Sequence, residues 1–373
     1  MDSLKRFFAS IWGKSLIAIL IWNFCIRLVS VIGYFILPEH FAPLDFIGKF
    51  WQSNFIFWSF ANFDGEHYLS IAKYGYQLRG GFPQFAFFPL FPLIIHFVAT
   101  FIRDYYLAGV LVSQTALYLA LVYLSKWATE LKRKDFRLIL LLSPGAVFLA
   151  SIYTEPLFIM LAAMTMYFAE KKWWGRAVIT TLLATATRIN GIFLALFLLV
   201  KMVKSGMSPL KYLKNSLLSV LGFLSYLIFL YCTTGDFLAW FHAQGAWGKA
   251  TATSPLTTIF SYFKAVTFEF VPDLTHLVVV FEVLVTVISI ILFIRLLLHK
   301  QLDLSYWLYL AGNLALPIMT GSLGSMPRFI MVLFPLLVVV PGLSKLSKTM
   351  YYIFSISIAF IGIILFTRGY WYG

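Results

Sequence analysis

Apolar runs of helix length follow one another along this chain with only short polar linkers between them. That succession leaves a helical bundle in a bilayer as the architecture. The runs fall at 15–37, 83–102, 106–128, 136–151, 154–169, 176–201, 212–232, 275–298, 303–320, 328–343 and 349–367. A helix needs about 20 apolar residues to cross a membrane. Of the 373 residues, 61% are hydrophobic, against about 45–50% in a soluble domain, and the mean hydropathy is +0.86. The chain reads as one all-α polytopic membrane domain over 1–373, with about 10–12 transmembrane or re-entrant helices. No long soluble domain fits between the runs.

The linkers carry the charge. Lys+Arg number 29 and Asp+Glu 15, an excess of 14. In a soluble protein such an excess points to nucleic acid. Here the bases cluster between apolar runs, at 126–137, 171–176, 201–214, 295–300 and 345–348. Their natural partner is the anionic cytoplasmic leaflet, and nucleic acid is not expected. Lys5, Arg6 and Lys14 precede the first run, which is too long for a cleavable signal core, so it reads as a first span with its N-terminus inside. The non-cytoplasmic segments are then 38–82, the turn at 153–155, 233–274 and 321–328. Cys25 and Cys232 lie inside apolar runs, which argues against a disulfide framework.

Two runs break simple alternation. The run 83–102 contains Pro83, Pro89 and Pro92, and on this topology it is re-entrant or a half-helix on the non-cytoplasmic side. The alternative makes it a true span and puts the 126–137 cluster outside. The run 176–201 carries Arg188-Ile189-Asn190-Gly191 at its middle. A charge at mid-bilayer costs about 2.5–3.5 kcal/mol on insertion scales, so this run reads as two short helices around a break. Such a break is tolerated where it is buried in protein or lines a cavity.

Only 12% of the residues are charged, so the cluster Asn62-Phe63-Asp64-Gly65-Glu66-His67-Tyr68 in the first long loop needs a reason. Asp64 and Glu66 form an Asp-x-Glu pair. On a loop, one carboxylate can serve as general base while the other binds a metal or orients a substrate. A divalent cation, Mg²⁺ or Mn²⁺, held with waters is one role for the pair. His67 reads as an interfacial histidine, because no Cys or His partner stands at metal-ligand spacing.

Other polar residues stand out against apolar surroundings. Arg328 follows Gly321-Ser322-Leu323-Gly324-Ser325-Met326-Pro327, on the same side as Asp64, where a guanidinium can hold a phosphate. Its plainer role is a helix-end arginine reaching for the interface. Arg188 is either functional or a structural partner for Glu155 or Glu282. Glu155, in the turn Tyr153-Thr154-Glu155, is either a helix N-terminal acid or a substrate contact. In the second large loop, aromatics interleave with polar groups from Gly235 to Lys249, as in a helix lying among headgroups. There His242, Gln244 and Lys249 meet sugar hydroxyls or simply sit at the interface.

Several signatures are missing: the phosphate loop Gly-x-x-x-x-Gly-Lys-Ser/Thr, His-Glu-x-x-His, and the Gly-x-Ser-x-Gly elbow. A nucleotide-consuming enzyme is not indicated, and an activated donor for this chain is itself a membrane lipid. The competing class is a transporter or lipid flippase using Arg188, Glu155 and Glu282 as a polar pathway. Such proteins often show repeats and paired broken helices; this chain has one broken run and no repeat. A non-catalytic subunit of a larger transferase is a third class.

The segment Phe63-Asp64-Gly65-Glu66-His67-Tyr68-Leu69-Ser70-Ile71-Ala72-Lys73-Tyr74-Gly75-Tyr76 resembles the signature Trp-Asp-x-x-x-Tyr-x-x-Ile-Ala-x-x-Gly-Tyr of the GPI mannosyltransferase 2 (PIG-V-like) family. Four further segments agree in order. They are Ala86 to Pro92, Ser143-Pro144 with Tyr153-Thr154-Glu155, Ala186 to Gly191, and Ser325 to Phe329 with Phe334-Pro335. The stretch from Gly235 to Gly248 is similar to the family's second large loop. The resemblance implies a GT-C-like membrane glycosyltransferase. It implies inverting transfer of a sugar, most often mannose, from a polyprenyl- or dolichyl-phosphate donor to a hydroxyl of a glycolipid, glycan or protein. It also implies that Asp64 is the catalytic acid residue of the first non-cytoplasmic loop. Phe63 stands where the family often has Trp. On this reading Asp64 and Glu66 are catalytic candidates. Arg328, Arg188, Asn190, His67, Tyr68, Glu155, His242 and Gln244 are substrate-binding candidates.

Overall fold

The computed structural model describes residues 2–40, 54–79, 82–249, 253–269 and 271–372. Residues 41–53 and 80–81 of the first expected loop, and 250–252 and 270 of the second, lie outside the described residues. Helix dominates, and the strands described form one two-stranded antiparallel ribbon, Leu78–Arg79 with Phe82–Pro83.

Among the described residues, five helices are long and apolar enough to cross a membrane: Ile11–Ile36, Tyr105–Glu130, Pro209–Thr234, Leu274–Leu298 and Lys345–Thr367. Leu90–Ile102, Leu304–Met319 and Met326–Gly342 are shorter apolar segments. Leu210, Leu213, Leu217, Leu221 and Ile228 are exposed along one side of Pro209–Thr234. An apolar stripe of that length outside a folded protein needs lipid against it. The protein is an integral membrane protein of all-α class.

The centre packs through small residues. Ala108, Gly109, Ala116, Ala120 and Ala128 are buried on Tyr105–Glu130, and Ala162, Ala163 and Ala169 on Thr154–Glu170, which packs against it. Small side chains let helix backbones approach closely in a bilayer, where no hydrophobic force drives helices together. At Gly222 a methyl group would stand 2.2 Å from the Leu182 carbonyl oxygen, so Pro209–Thr234 meets Trp174–Thr185 only through glycine.

The basic linkers gather at one end. Lys171 pairs with Glu130 at 2.5 Å, Lys201 reaches Glu170 and Asp303 at 2.6 and 2.7 Å, and Arg133 donates to the Gln301 carbonyl at 2.8 Å. The cluster at 126–137 therefore stands at the same end as the bases near 171, 201 and 300. Asp303, Asp273 and Asp104 cap the helices that follow them by accepting backbone N–H groups.

Both irregular runs resolve at the opposite end. Leu90–Ile102 is a half-helix of about 20 Å, at about 1.5 Å per residue. Its start is held by Leu90 N–H on the Ala186 carbonyl at 3.1 Å, and its middle by His96 Nδ1 against the Ala72 carbonyl at 2.8 Å. The run 176–201 forms Trp174–Thr185 and Gly191–Lys204, two antiparallel short helices. They rise from the basic end and turn inside the protein at 186–190. The apolar segment Ile330–Gly342, which precedes the last helix, is wound as 3₁₀ turns kinked at Leu333; it contains Pro335 and Pro341, and Val332 to Val340 are buried.

Candidate active site

Asp64 opens the helix Asp64–Tyr74, where the helix dipole favours a carboxylate. The preceding Phe63 has φ +60°, ψ −117°, a conformation rarely adopted by a bulky residue. Tyr153 braces that turn. Its hydroxyl donates to the Asn62 carbonyl at 3.0 Å and accepts the Asp64 N–H at 3.2 Å. Phe63 packs edge-on to Trp371, with ring centres 5.3 Å apart.

Asp64 does not stand alone. Arg328 Nη1 donates to Asp64 Oδ2 at 2.5 Å, and Arg328 Nε donates to Glu155 Oε1 at 2.5 Å. Arg188 Nη1 donates to the same Glu155 oxygen and to Thr154 Oγ1, the latter at 2.9 Å. The Arg328 guanidinium also lies over the Tyr153 ring at 4.9 Å. All four charged groups are buried. Two carboxylates and two guanidinium groups thus close a neutral network, which is the condition for holding charge at low dielectric.

Each member arrives from a different element. Glu155 sits in the first turn of Thr154–Glu170, Arg188 in the break at 186–190, and Arg328 in the short helix Met326–Phe329. Asn190 Nδ2 donates to Asn313 Oδ1 at 2.7 Å, and Asn313 Nδ2 to the Tyr309 carbonyl at 2.8 Å, which pins the break to Leu304–Met319. Glu282, a buried acid on Leu274–Leu298, accepts the Ser325 N–H at 3.0 Å. Ser325 has φ +75° and starts the helix carrying Arg328.

A pocket opens over this network. Asp64, Tyr68, Arg188, Asn190, Gln244, Lys249 and Arg328 contribute its polar lining; Phe87, Trp240, Trp247, Phe329 and Trp371 supply aromatic walls. Among the described residues, Asp64 is the one carboxylate on its surface. Burial pushes the Tyr68 hydroxyl up to about 12 against the opposing pull of Arg328, so Tyr68 meets the pocket as a protonated hydroxyl. Lys249 is pushed down to about 7, first by burial and then by Arg328.

The structure separates the remaining candidates. Glu155 lies outside the pocket lining, where it accepts from Arg188 and Arg328. Glu66 does not share the pocket with Asp64. The Asp-x-Glu pair lies on a helix, not a loop, and residues at i and i+2 of a helix do not face each other; Glu66 instead accepts the Trp58 indole N–H at 3.1 Å. Among the described residues no group of three or more His, Cys, Asp and Glu side chains is placed to hold a metal ion. His67 stacks on Phe87 at 5.1 Å and supports the wall; burial lowers its pKa, which Asp64 partly opposes. His242 is exposed and pairs with Asp236 at 2.7 Å, outside the pocket lining.

Asn313 and Trp371 were not singled out by the sequence. An amide in the middle of the apolar run 303–320 was a signal for the first. Trp371 had none, in a chain that is 19% aromatic.

The pattern of the family described as Mannosyltransferase (PIG-V) matches residues 4–244. The chain belongs to that family. The match includes Asp64, Glu155, Arg188 and Asn190, whereas Lys249, Glu282 and Arg328 lie beyond it. GPI alpha-1,6-mannosyltransferase 2 of Homo sapiens is 30% identical over 179 residues, covering 43% of this chain and 35% of the human protein. The Rattus norvegicus protein of the same name is 29% identical over 180 residues, with the same coverage. That of Cricetulus griseus is 32% identical over 157 residues, covering 37% of this chain and 31% of the relative. The chain thus aligns with about a third of the length of these curated relatives.

Proposed function

We propose that this PIG-V family protein is an inverting mannosyltransferase. It moves mannose from a polyprenyl- or dolichyl-phosphate donor to a hydroxyl of a glycolipid, glycan or protein on the non-cytoplasmic side. The observation that carries the reading is Asp64: among the described residues the one carboxylate on an aromatic-walled pocket, backed by Arg328 and opposite the basic end of the bundle. Family membership and the names of the relatives support the sugar. The positive-inside rule supports the sidedness.

In this mechanism the donor enters laterally between helices and sets its phosphate against the wall that carries Arg188 and Arg328. The acceptor oxygen attacks the anomeric carbon while Asp64 takes its proton. The bond from that carbon to the phosphate oxygen breaks, its electron pair stays on the phosphate, and the anomeric centre inverts. One pocket carboxylate suits a single displacement, since double displacement at a sugar generally needs a second one as nucleophile or acid. The aromatic walls offer apolar faces to the sugar and the lipid.

The test is incubation of purified, reconstituted protein with radiolabelled polyprenyl-phosphate mannose and a pool of lipid and peptide acceptors. Labelled product that vanishes in Asp64→Asn is expected. Donor crossing the bilayer without transfer would replace this reading with a flippase.

A further inference from the structure

The charged groups around the pocket fall into two sets. Asp64, Glu155, Arg188 and Arg328 neutralise one another, two against two. Lys249 stands apart. It lines the pocket, and its Nζ lies 4.1 Å from the centre of the Phe329 ring. Among the described residues no carboxylate pairs with it. Glu282, an acid close enough to be felt, spends an oxygen on the Ser325 N–H. The lysine's position is fixed by the backbone. Gly248 at φ +68° ends the 3₁₀ turn Gln244–Trp247, and the Lys249 N–H donates to the Gln244 carbonyl at 3.2 Å.

With Lys249 protonated, the pocket therefore carries one positive charge beyond neutrality, and a lipid-sugar phosphodiester carries one negative charge. We propose that Lys249 supplies the charge that neutralises the donor's phosphodiester beside the wall of Arg188 and Arg328, whose own charges are already matched by Asp64 and Glu155. The assignment rests on the transferase reading above. It also gives Lys249 a part in the step itself. As the sugar–oxygen bond breaks, the phosphodiester becomes a monoester with a second negative charge, while the acceptor proton neutralises Asp64. Total charge is conserved, and it moves from Asp64 towards the phosphate beside Lys249.

Four charged groups face this amine: Arg328 and Arg188 oppose its protonation, and Asp64 and Glu282 favour it, while burial lowers it most. Its charge is accordingly lost as pH rises through about 7, and a bound anion restores it.

The experiment measures binding of polyprenyl-phosphate mannose, with uncharged polyprenol as control, to nanodisc-embedded wild type, Lys249→Gln and Lys249→Arg. At about pH 6, Lys249→Gln should bind the phosphodiester about tenfold or more weakly, the scale of one lost charge-assisted hydrogen bond, with polyprenol binding unchanged. At about pH 8.5 the wild type should weaken towards Lys249→Gln, while Lys249→Arg keeps its affinity. Equal phosphodiester binding by wild type and Lys249→Gln at pH 6 would overturn the assignment and leave the transferase reading standing. A parallel loss of polyprenol binding would make Lys249 structural and also overturn it. A wild type that binds polyprenol but not the phosphodiester would remove the donor reading and this assignment together.

Discussion

Arg328 Nη1 reaches Asp64 Oδ2 at 2.5 Å across 264 residues of sequence. The contact joins the first loop of the chain to its last quarter, and it holds the only carboxylate seen on the pocket among the described residues. A carboxylate held this way has its orientation set before substrate arrives, which is what a positioned base needs. Asp64→Asn keeps the shape and an oxygen for Arg328 but cannot take a proton. Transfer should fall by about 10²–10⁴-fold, the usual contribution of general-base catalysis. Membrane insertion should be kept, and the thermal unfolding midpoint should fall no further than in Glu155→Gln, since the amide oxygen still accepts from Arg328. Near-normal turnover would remove Asp64 from the base role.

Glu155 is predicted to matter for stability before chemistry. It is wholly buried, and one of its oxygens accepts from both Arg188 and Arg328. Removing one partner of a buried ion pair strands the others and costs about 3–5 kcal/mol. Glu155→Ala should therefore lower the thermal midpoint of the detergent-solubilised protein and the yield of monodisperse protein. Glu155→Gln, which keeps an acceptor, should lose less. An unchanged midpoint in Glu155→Ala would show that the network does not hold the fold.

Much of this network was legible as a list and illegible as a structure. Asp64, Glu155, Arg188 and Arg328 stand out because charge is rare in an apolar chain, and isolated ionisable groups in membrane helices are costly. The helical class and the broken run at 186–190 follow from the same reasoning. Which acid meets which base does not. Pairing depends on how the hairpin tip at 186–190 and the helix at 326–329 converge on one turn, and no local pattern encodes that. Glu66 shows the opposite failure. Its spacing from Asp64 looks like a pair on a loop, yet on a helix the two side chains diverge and Glu66 ends against Trp58. The aromatic walls were hidden by abundance, since Trp247 and Trp371 look like every other aromatic residue in this sequence.

The sequence offers Glu282 as a partner for a basic group or part of a polar pathway, and the structure sets it on a backbone N–H instead. Its carboxylate holds the N–H of Ser325, whose left-handed backbone turns the chain into the helix that carries Arg328. Glu282→Gln keeps an acceptor and should retain most activity. Glu282→Leu leaves that N–H unpaired, a cost of about 1–3 kcal/mol, and lets the Arg328 turn relax. Its kcat should fall at least about tenfold, on the scale of that cost. Equal kcat in the Gln and Leu variants would show that Ser325 needs no acceptor from Glu282.

Gly145 offers a test of positioning that touches no charged group. A methyl group there would stand 2.1 Å from the Pro327 carbonyl oxygen and 3.0 Å from Met331 Cγ. Its φ of −82° is ordinary, so the demand for glycine comes from space alone. Gly145→Ala must push the Pro327 carbonyl aside, and Arg328 is the next residue. Overpacking of this kind costs about 1–3 kcal/mol, while a shift near 1 Å at a catalytic group can cost about 10²-fold in rate. Activity should therefore fall much further than stability. Gly175→Ala is the matched control, because a Cβ at Gly175 meets nothing within 4 Å, and it should leave both unchanged. If Gly145→Ala works at the wild-type rate, the Pro327–Arg328 turn tolerates displacement, and the tight placement of Arg328 against Asp64 is not what sets the rate.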